Sequence, residues 1–296
     1  MHRAQHSALV IATYLVIQFR YHFFIRIMQP FKVYNGPHGQ GPNPWKVLIV
    51  LEELGLPWEI VWIPYGEIKS EPYTSLNPNG KLPAFIDPNN NQPEGITLFE
   101  TGAIINYLIA TYDTELKLTY GDGRVQEKWL LQSWLMLQMS GQGPMFGQKM
   151  WFTHVHKERN LESVLERYGS EVKRIMGVVS GTLRKQREKL GGEGAEDAEV
   201  WLVGDKCTYA DLAFAAWNPL LVTLFPELPA DWVEKEFPEY YRWNASMLRR
   251  EGTRKVLEYR EECIRTMRDT GIQVVQRQKD AGQIPEYRQS MGVGKS

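Results

Sequence analysis

A chain of 296 residues is long enough for two domains and a sizeable core, and its 43% hydrophobic content places it among folded chains. A formal net charge of −1 with no basic stripe excludes a nucleic-acid surface as its main role. Cys207 and Cys263 are the only cysteines, far apart and in no metal-ligand spacing, which points to a reducing compartment, cytoplasmic in setting, and to no metal.

Residues 1–28 open the chain. Residues 8–19 are apolar, but Arg20, His22 and Arg26 follow at once. The run is too short for a stable membrane span, and no small-x-small cleavage site follows it. It reads as an extension outside the fold, upstream of a start at Met28, with a weak membrane contact as the alternative. Residues 31–34 predict a short strand, which ends in a loop rich in Gly and Pro, Asn35 to Pro44. Asn43-Pro44 then predicts a helix start, Asn as N-cap and Pro as first helical residue. Val47, Leu48, Val50, Leu51 and Leu54 give that helix an apolar face, and Gly55 with Pro57 ends it. Residues 58–63 alternate as a strand, so strand, helix and strand form a right-handed crossover with parallel strands. A helical turn is expected near Tyr73.

Asn77-Pro78-Asn79-Gly80 is dense turn chemistry, and residues 82–86 read as a buried strand entered through Pro83. A polar hairpin loop leads to a return strand at 96–98. From Thr101 the residues Ile104, Ile105, Leu108, Ile109 and Tyr112 recur at helical spacing. Glu100-Thr101 thus stands at a helix N-terminus beside a Pro-led strand, a fitting place for a ligand that carries both charges. The order β-α-β, loop, β-β-α resembles a thioredoxin-like α/β domain, in which such a Pro is often cis.

Beyond the polar connection 113–123 everything reads as helix. Residues 125–139 carry Trp129, Leu130, Trp134 and Leu137, and Gly141-Gln142-Gly143-Pro144 should bend or break that helix. Helix resumes over 145–156, and 161–190 is one long amphipathic helix. Thr208-Tyr209-Ala210-Asp211 predicts a capping-box start to an apolar helix over 212–221. Shorter helices are expected near 238–248 and 254–268, then a polar tail.

The residues Asn77-Pro78-Asn79-Gly80-Lys81-Leu82-Pro83, Phe99-Glu100-Thr101-Gly102-Ala103-Ile104 and Thr208-Tyr209-Ala210-Asp211 together resemble a soluble glutathione transferase, over residues 28 to 271. Gly41-Pro42-Asn43-Pro44-Trp45-Lys46-Val47 is most similar to the fungal nitrogen-regulator-like class, some of whose members act in fungal toxin pathways. The resemblance implies a thioredoxin-like glutathione-binding domain at 29–115, an all-helical domain at 124–270, a tail at 271–296 and a homodimer. Glutathione would be the co-substrate and a hydrophobic electrophile its partner.

Glutathione reacts as a thiolate, and an ordinary thiol titrates near 8.5, so the site must offer donors or positive potential to sulfur. The resemblance gives that role to Asn43. As a cap Asn43 would accept through Oδ1, and Nδ2 would remain free to donate to sulfur, so both roles are compatible. The loop after the first strand has no Tyr, Ser or Cys, so no mixed disulfide can form there. Gln40 stands where class members often have Ser and is a candidate glutathione-binding donor of different reach, and Ile68 stands where they often have His. Glu100 suits the α-ammonium of the γ-glutamyl end, and Thr101 with the helix N–H groups suits its α-carboxylate. Leu82, before Pro83, would offer backbone groups to the cysteinyl part. Lys81 and Lys69 are candidates for the glycyl carboxylate. The second substrate is expected between the domains against Met145, Phe146 and Lys149, with the Lys149 cation beside the sulfur.

His154 and His156 lie on different helix faces and make no zinc pair. Gly294-Lys295-Ser296 lacks the earlier Gly and the following helix of a phosphate loop. Asn244-Ala245-Ser246 is a glycosylation triplet inside an expected helix.

Overall fold

A computed structural model describes residues 28–37, 39–90, 92, 95–158, 161–191 and 198–270. The apolar run at 8–19, the start at Met28 as a boundary of residues 1–28 and the 271–296 tail therefore lie outside the described residues or at their edge. Strand β1 (Phe31–Asn35) leads to helix α1 (Pro42–Leu54) and strand β2 (Trp58–Trp62). A single helical turn, α2 (Tyr73–Leu76), precedes β3 (Ala84–Asp87), β4 (Ile96–Phe99) and α3 (Thr101–Tyr112). The sheet order is β2-β1-β3-β4, with β1 parallel to β2 and antiparallel to β3, and β3 antiparallel to β4. This is the expected thioredoxin-like α/β order.

Helix α1 shows why one face was too little to expect. Residues 44–51 are all buried, including Ile49 and Lys46, because the helix lies between the sheet and the helical half. A helix covered on all sides is apolar on all sides. It closes as expected: Gly55 takes φ +72°, its N–H donates to the Glu52 carbonyl, and the Leu56 N–H reaches the Leu51 carbonyl. Its start differs. The helix begins at Pro42 with Gly41 as N-cap, so Asn43 is not the cap. Pro42 and Pro44 bring no N–H groups to the first turn, which removes the need for a capping side chain there. Strand β3 likewise begins two residues after Leu82, and the Leu82–Pro83 bond is cis.

The helical half comprises α4 (Val125–Leu137), α5 (Gly143–Met150), α6 (Glu162–Leu190), α7 (Tyr209–Ala215), α8 (Leu221–Leu224), α9 (Trp232–Glu236), α10 (Pro238–Arg249) and α11 (Glu251–Thr270). At Gly141–Pro144, where a bend or break is expected, a π-turn over Gln138–Gln142 joins α4 to α5. Gly143 donates to the Gln138 carbonyl, five residues back, and the widened turn admits Pro144 without interrupting the helix. The short helices α8 and α9 escaped the sequence pattern because each is barely a turn long. No helix among the described residues is long and apolar enough to cross a membrane.

The two halves share an interface built on α1 and α11. Glu53, buried on α1, accepts from the Arg250 guanidinium (2.6 and 3.1 Å) and from the Thr253 N–H and hydroxyl (3.1 and 3.0 Å). Burial would raise the Glu53 pKa, but these donors hold it below the usual carboxylate range.

Candidate functional site

Between the halves lies a cavity of about 350 Å³, the size of a small-ligand site. One wall comes from the thioredoxin-like half: Asn43, Lys46, Asn77, Lys81, Leu82, Pro83, Glu100 and Thr101. Gln138, Met139, Gly143, Pro144, Gly147, Gln148 and Trp217 of the helical half form the other. Six of the sequence-derived residues thus meet here: Asn43, Lys81, Leu82, Pro83, Glu100 and Thr101.

The turn before β3 is held from within. The Asn77 amide donates to the carbonyls of Lys81 (2.7 Å) and Pro83 (3.3 Å), and its Oδ1 accepts the Asn79 N–H. Tyr73 donates its hydroxyl to the same Lys81 carbonyl at 2.8 Å. Gly80 takes φ +56°, and a Cβ there would stand 2.7 Å from the Ile68 carbonyl oxygen, so the turn needs glycine. These ties leave Leu82 at the cavity edge, ahead of the strand.

Glu100 enters α3 with φ +66° and ψ 115°, a region that residues with a Cβ rarely adopt and that costs of order 1–3 kcal/mol. The turn places Thr101 and the N-terminus of α3 at the cavity. Thr101 is buried, and among the described residues its hydroxyl reaches only the Met139 thioether, at 3.3 Å. A thioether is a weak acceptor, so the hydroxyl keeps capacity for a ligand.

Asn43 is half-buried in the first turn of α1. Its Oδ1 accepts the Trp217 indole N–H at 3.2 Å. With the oxygen so occupied, Nδ2 has no acceptor among the described residues and stands as a donor on the cavity wall. The preceding loop is fixed by Arg260 from α11. Its guanidinium donates to the carbonyls of Gly39 (3.3 Å), Gln40 (2.7 Å) and Ala216 (2.7 Å) while only 2% exposed. Burial brings the Arg260 pKa down to about 10, against the field of Glu261. An ammonium carries its donors on one nitrogen and cannot span the three separate carbonyls that Nε, Nη1 and Nη2 of the guanidinium reach. Arg260→Lys is therefore expected to cost about 2 kcal/mol, read as a shift in urea midpoint, whereas an unchanged midpoint would remove the clamp.

Several expected residues lie elsewhere. Gln40 is exposed, and it is its carbonyl that is engaged. Lys69 donates to the Asn79 carbonyl at 3.2 Å, behind the turn. Phe146 is fully buried and packs edge-on against Trp217, so it backs the wall without lining it. Met145 is absent from the lining as well. Lys149 turns away from the cavity: its Nζ lies 3.4 Å from the Leu165 carbonyl and 5.1 Å from the Phe225 ring centre. Helical spacing explains the shift, because Gly143, Pro144, Gly147 and Gln148 occupy the face towards the cavity.

Lys46, Gln138, Met139 and Trp217 are lining residues that the sequence reading missed. Lys46 carried a signal, a lysine inside the run Trp45 to Leu51. It is 2% exposed, with Nζ donating to Gln138 Oε1 at 2.9 Å. Burial lowers its pKa to about 7, opposed by the Glu100 carboxylate. Between pH 7 and the ordinary lysine range the unfolded chain binds this proton and the folded chain does not, so stability rises with pH there and is flat and lowest below 7. Wild type should gain about 2 kcal/mol over Lys46→Met between pH 7 and 9 in urea titrations; parallel pH profiles would contradict this.

Among the described residues no group of three or more His, Cys, Asp and Glu stands together to hold a metal. Cys207 and Cys263 are free and buried, and burial raises both thiols, Cys263 to about 11.

Comparisons with known proteins identify the family and the fold. Family models for the glutathione S-transferase N-terminal domain and C-terminal domain match residues 41–111 and 143–251. The chain is 42% identical over 230 residues to the glutathione S-transferase-like protein OpS6 of Beauveria bassiana, covering 77% of this chain and 95% of that one. It is 35% identical over 243 residues to the transcriptional regulator URE2 of Saccharomyces cerevisiae, covering 74% and 66% respectively. The crystal structure of the glutathione transferase URE2P6 from Phanerochaete chrysosporium, in complex with oxidized glutathione, superposes with a TM-score of 0.69. It is 38% identical and covers 80% of this chain and 99% of that one.

Proposed function

The chain belongs to the glutathione S-transferase family, and from that premise we propose that it binds glutathione in the interdomain cavity and adds its sulfur to a hydrophobic electrophile. Glu100 receives the α-ammonium of the glutamyl end, and Thr101 with the first N–H groups of α3 receives the α-carboxylate. The Leu82 backbone holds the cysteinyl part, and Lys81 faces the glycyl carboxylate. Asn43 Nδ2 donates to the sulfur and favours its thiolate. The observation that carries this reading is the Trp217 indole bond to Asn43 Oδ1, which occupies the oxygen and leaves Nδ2 as the available donor of a cavity-lining residue.

The electrophile then meets the opposite wall, Gly143, Pro144, Gly147, Gln148 and Trp217, in place of Met145, Phe146 and Lys149. The resemblance of residues 41–47 to a class with members in fungal toxin pathways supports a substrate among intermediates of fungal secondary metabolism. Homodimer formation, assayed by light scattering, is supported by the exposed apolar residues Val125, Trp129 and Met136 on or beside α4 and Phe99 on β4. Free buried thiols fit a cytoplasmic setting.

Retention on immobilised glutathione, with mass spectrometry of reactions containing a panel of electrophiles, tests the proposal. A stable glutathione adduct is the expected product. Turnover that regenerates glutathione would replace conjugation by isomerisation or reduction. Binding without turnover would favour a regulator, a reading that the similarity to URE2 supports.

A further inference from the structure

A buried ammonium ion ordinarily has a carboxylate beside it, because removing a charge from water costs several kcal/mol unless it is paired. Lys46 has none: among the described residues no carboxylate lies within ion-pair distance of its Nζ. Its contacts are neutral, Gln138 Oε1 at 2.9 Å and Met139 Sδ at 3.8 Å. Glu100 acts on it only as a field, and that carboxylate is exposed and faces the ligand space.

The groups behind Lys46 hold it without adding charge. Gln138 Nε2 donates to Gln142 Oε1 at 3.0 Å, Gln142 Nε2 to Asn218 Oδ1 at 2.8 Å, and Asn218 Nδ2 to Asn244 Oδ1 at 2.9 Å. Each amide oxygen in this row is taken by the donor before it, so Gln138 is set with Oε1 towards the lysine. In front, Lys46 Nζ and Thr101 Oγ1 converge on one atom, the Met139 sulfur. The ammonium, the hydroxyl and the N-terminus of α3 therefore share one end of the cavity, and all favour an anion.

We propose that Lys46 is the counter-ion of glutathione's glutamyl α-carboxylate, so that the ligand itself completes a charge pair that the protein alone leaves open. The proposal rests on the glutathione reading of the cavity. It assigns opposite duties to two neighbours: Glu100 takes the α-ammonium and Lys46 the α-carboxylate. Selection for a free amino-acid end then follows, since a peptide whose glutamyl carboxylate is missing leaves the lysine charge uncompensated.

A thermodynamic cycle tests this. Calorimetry on the full chain measures the Kd of glutathione and of γ-aminobutyryl-cysteinyl-glycine, which lacks only that carboxylate, for wild type, Lys46→Arg and Lys46→Met. Wild type should prefer glutathione by at least about tenfold more than Lys46→Met does, the low end for close charge pairs, and Lys46→Arg should keep most of the preference. Should the Met variant not fold, Lys46→Gln, which can still donate to Gln138, takes its place. Equal preference in wild type and a folded neutral variant would overturn the role of Lys46 alone. No glutathione binding by wild type would overturn the cavity's assignment, and the Lys46 proposal with it.

Discussion

Asn43→Ala is expected to lower kcat/KM for glutathione conjugation by about a hundredfold or more, with glutathione affinity changed by less than about threefold. The split follows from where the amide sits. The glutamyl, cysteinyl and glycyl parts of the ligand are assigned to Glu100, Thr101, Leu82 and Lys81, none of which the substitution touches. What disappears is one donor at the sulfur, and a donor aimed at developing negative charge in a closed site is worth far more than one in water. Structural damage should be modest: the Trp217 indole N–H loses its acceptor, but Asn43 is a half-buried first-turn residue and alanine is favourable in helices. Trp217→Phe supplies a second check. Losing the indole N–H frees Oδ1 to rotate towards the sulfur, so turnover should fall by an intermediate amount, about tenfold. Steady-state kinetics with one reactive electrophile measures both, and undiminished turnover in Asn43→Ala would remove Asn43 from the chemistry.

The largest loss of stability is expected from Asp211→Ala, about 4 kcal/mol, or a fall in Tm of about 10 °C. The carboxylate is fully buried and accepts from the Leu202 N–H (2.9 Å), the Trp243 indole N–H (2.9 Å), the Thr208 N–H (3.0 Å) and the Thr208 hydroxyl (2.9 Å). It therefore caps α7 and ties that helix to the incoming chain and to α10 at once. Truncation leaves three N–H donors buried without acceptors, each costing about 1–3 kcal/mol before any relaxation. Asp211→Asn keeps one oxygen but turns an NH2 towards the Thr208 donors, so it should recover only part of the loss. Thermal melts by circular dichroism decide the matter; a Tm within about 2 °C of wild type would contradict it.

Much of this molecule is legible from local chemistry. The Asn77 to Pro83 turn, the helix start at Thr101 and the Thr208–Asp211 box are each specified by neighbours in sequence, and each appears where expected. The α1 terminus at Gly55 is likewise set by one residue's backbone freedom. Asn43 was legible only by resemblance: its cap role failed because two prolines leave little to cap, and its orientation depends on Trp217, a residue 174 positions away. No spacing rule links those two. Lys46 is hard to read for the opposite reason: it is a single charge inside an apolar stripe, and the stripe alone accounts for the helix. Lys149 shows the limit of helical periodicity, which sorts residues into faces but does not say which face meets a cavity. That depended on the π-turn at Gln138–Gln142, whose extra residue per turn rotates everything after it.

In the proposed function this cavity binds glutathione and lowers its thiol pKa through Asn43. Thiolate absorbance in the ultraviolet, followed against pH for glutathione bound to the full chain, measures it directly. The bound thiol should titrate at least about one unit below the ordinary thiol value near 8.5, and binding to Asn43→Ala should return it most of the way. A bound thiol that titrates at its free value would contradict the account.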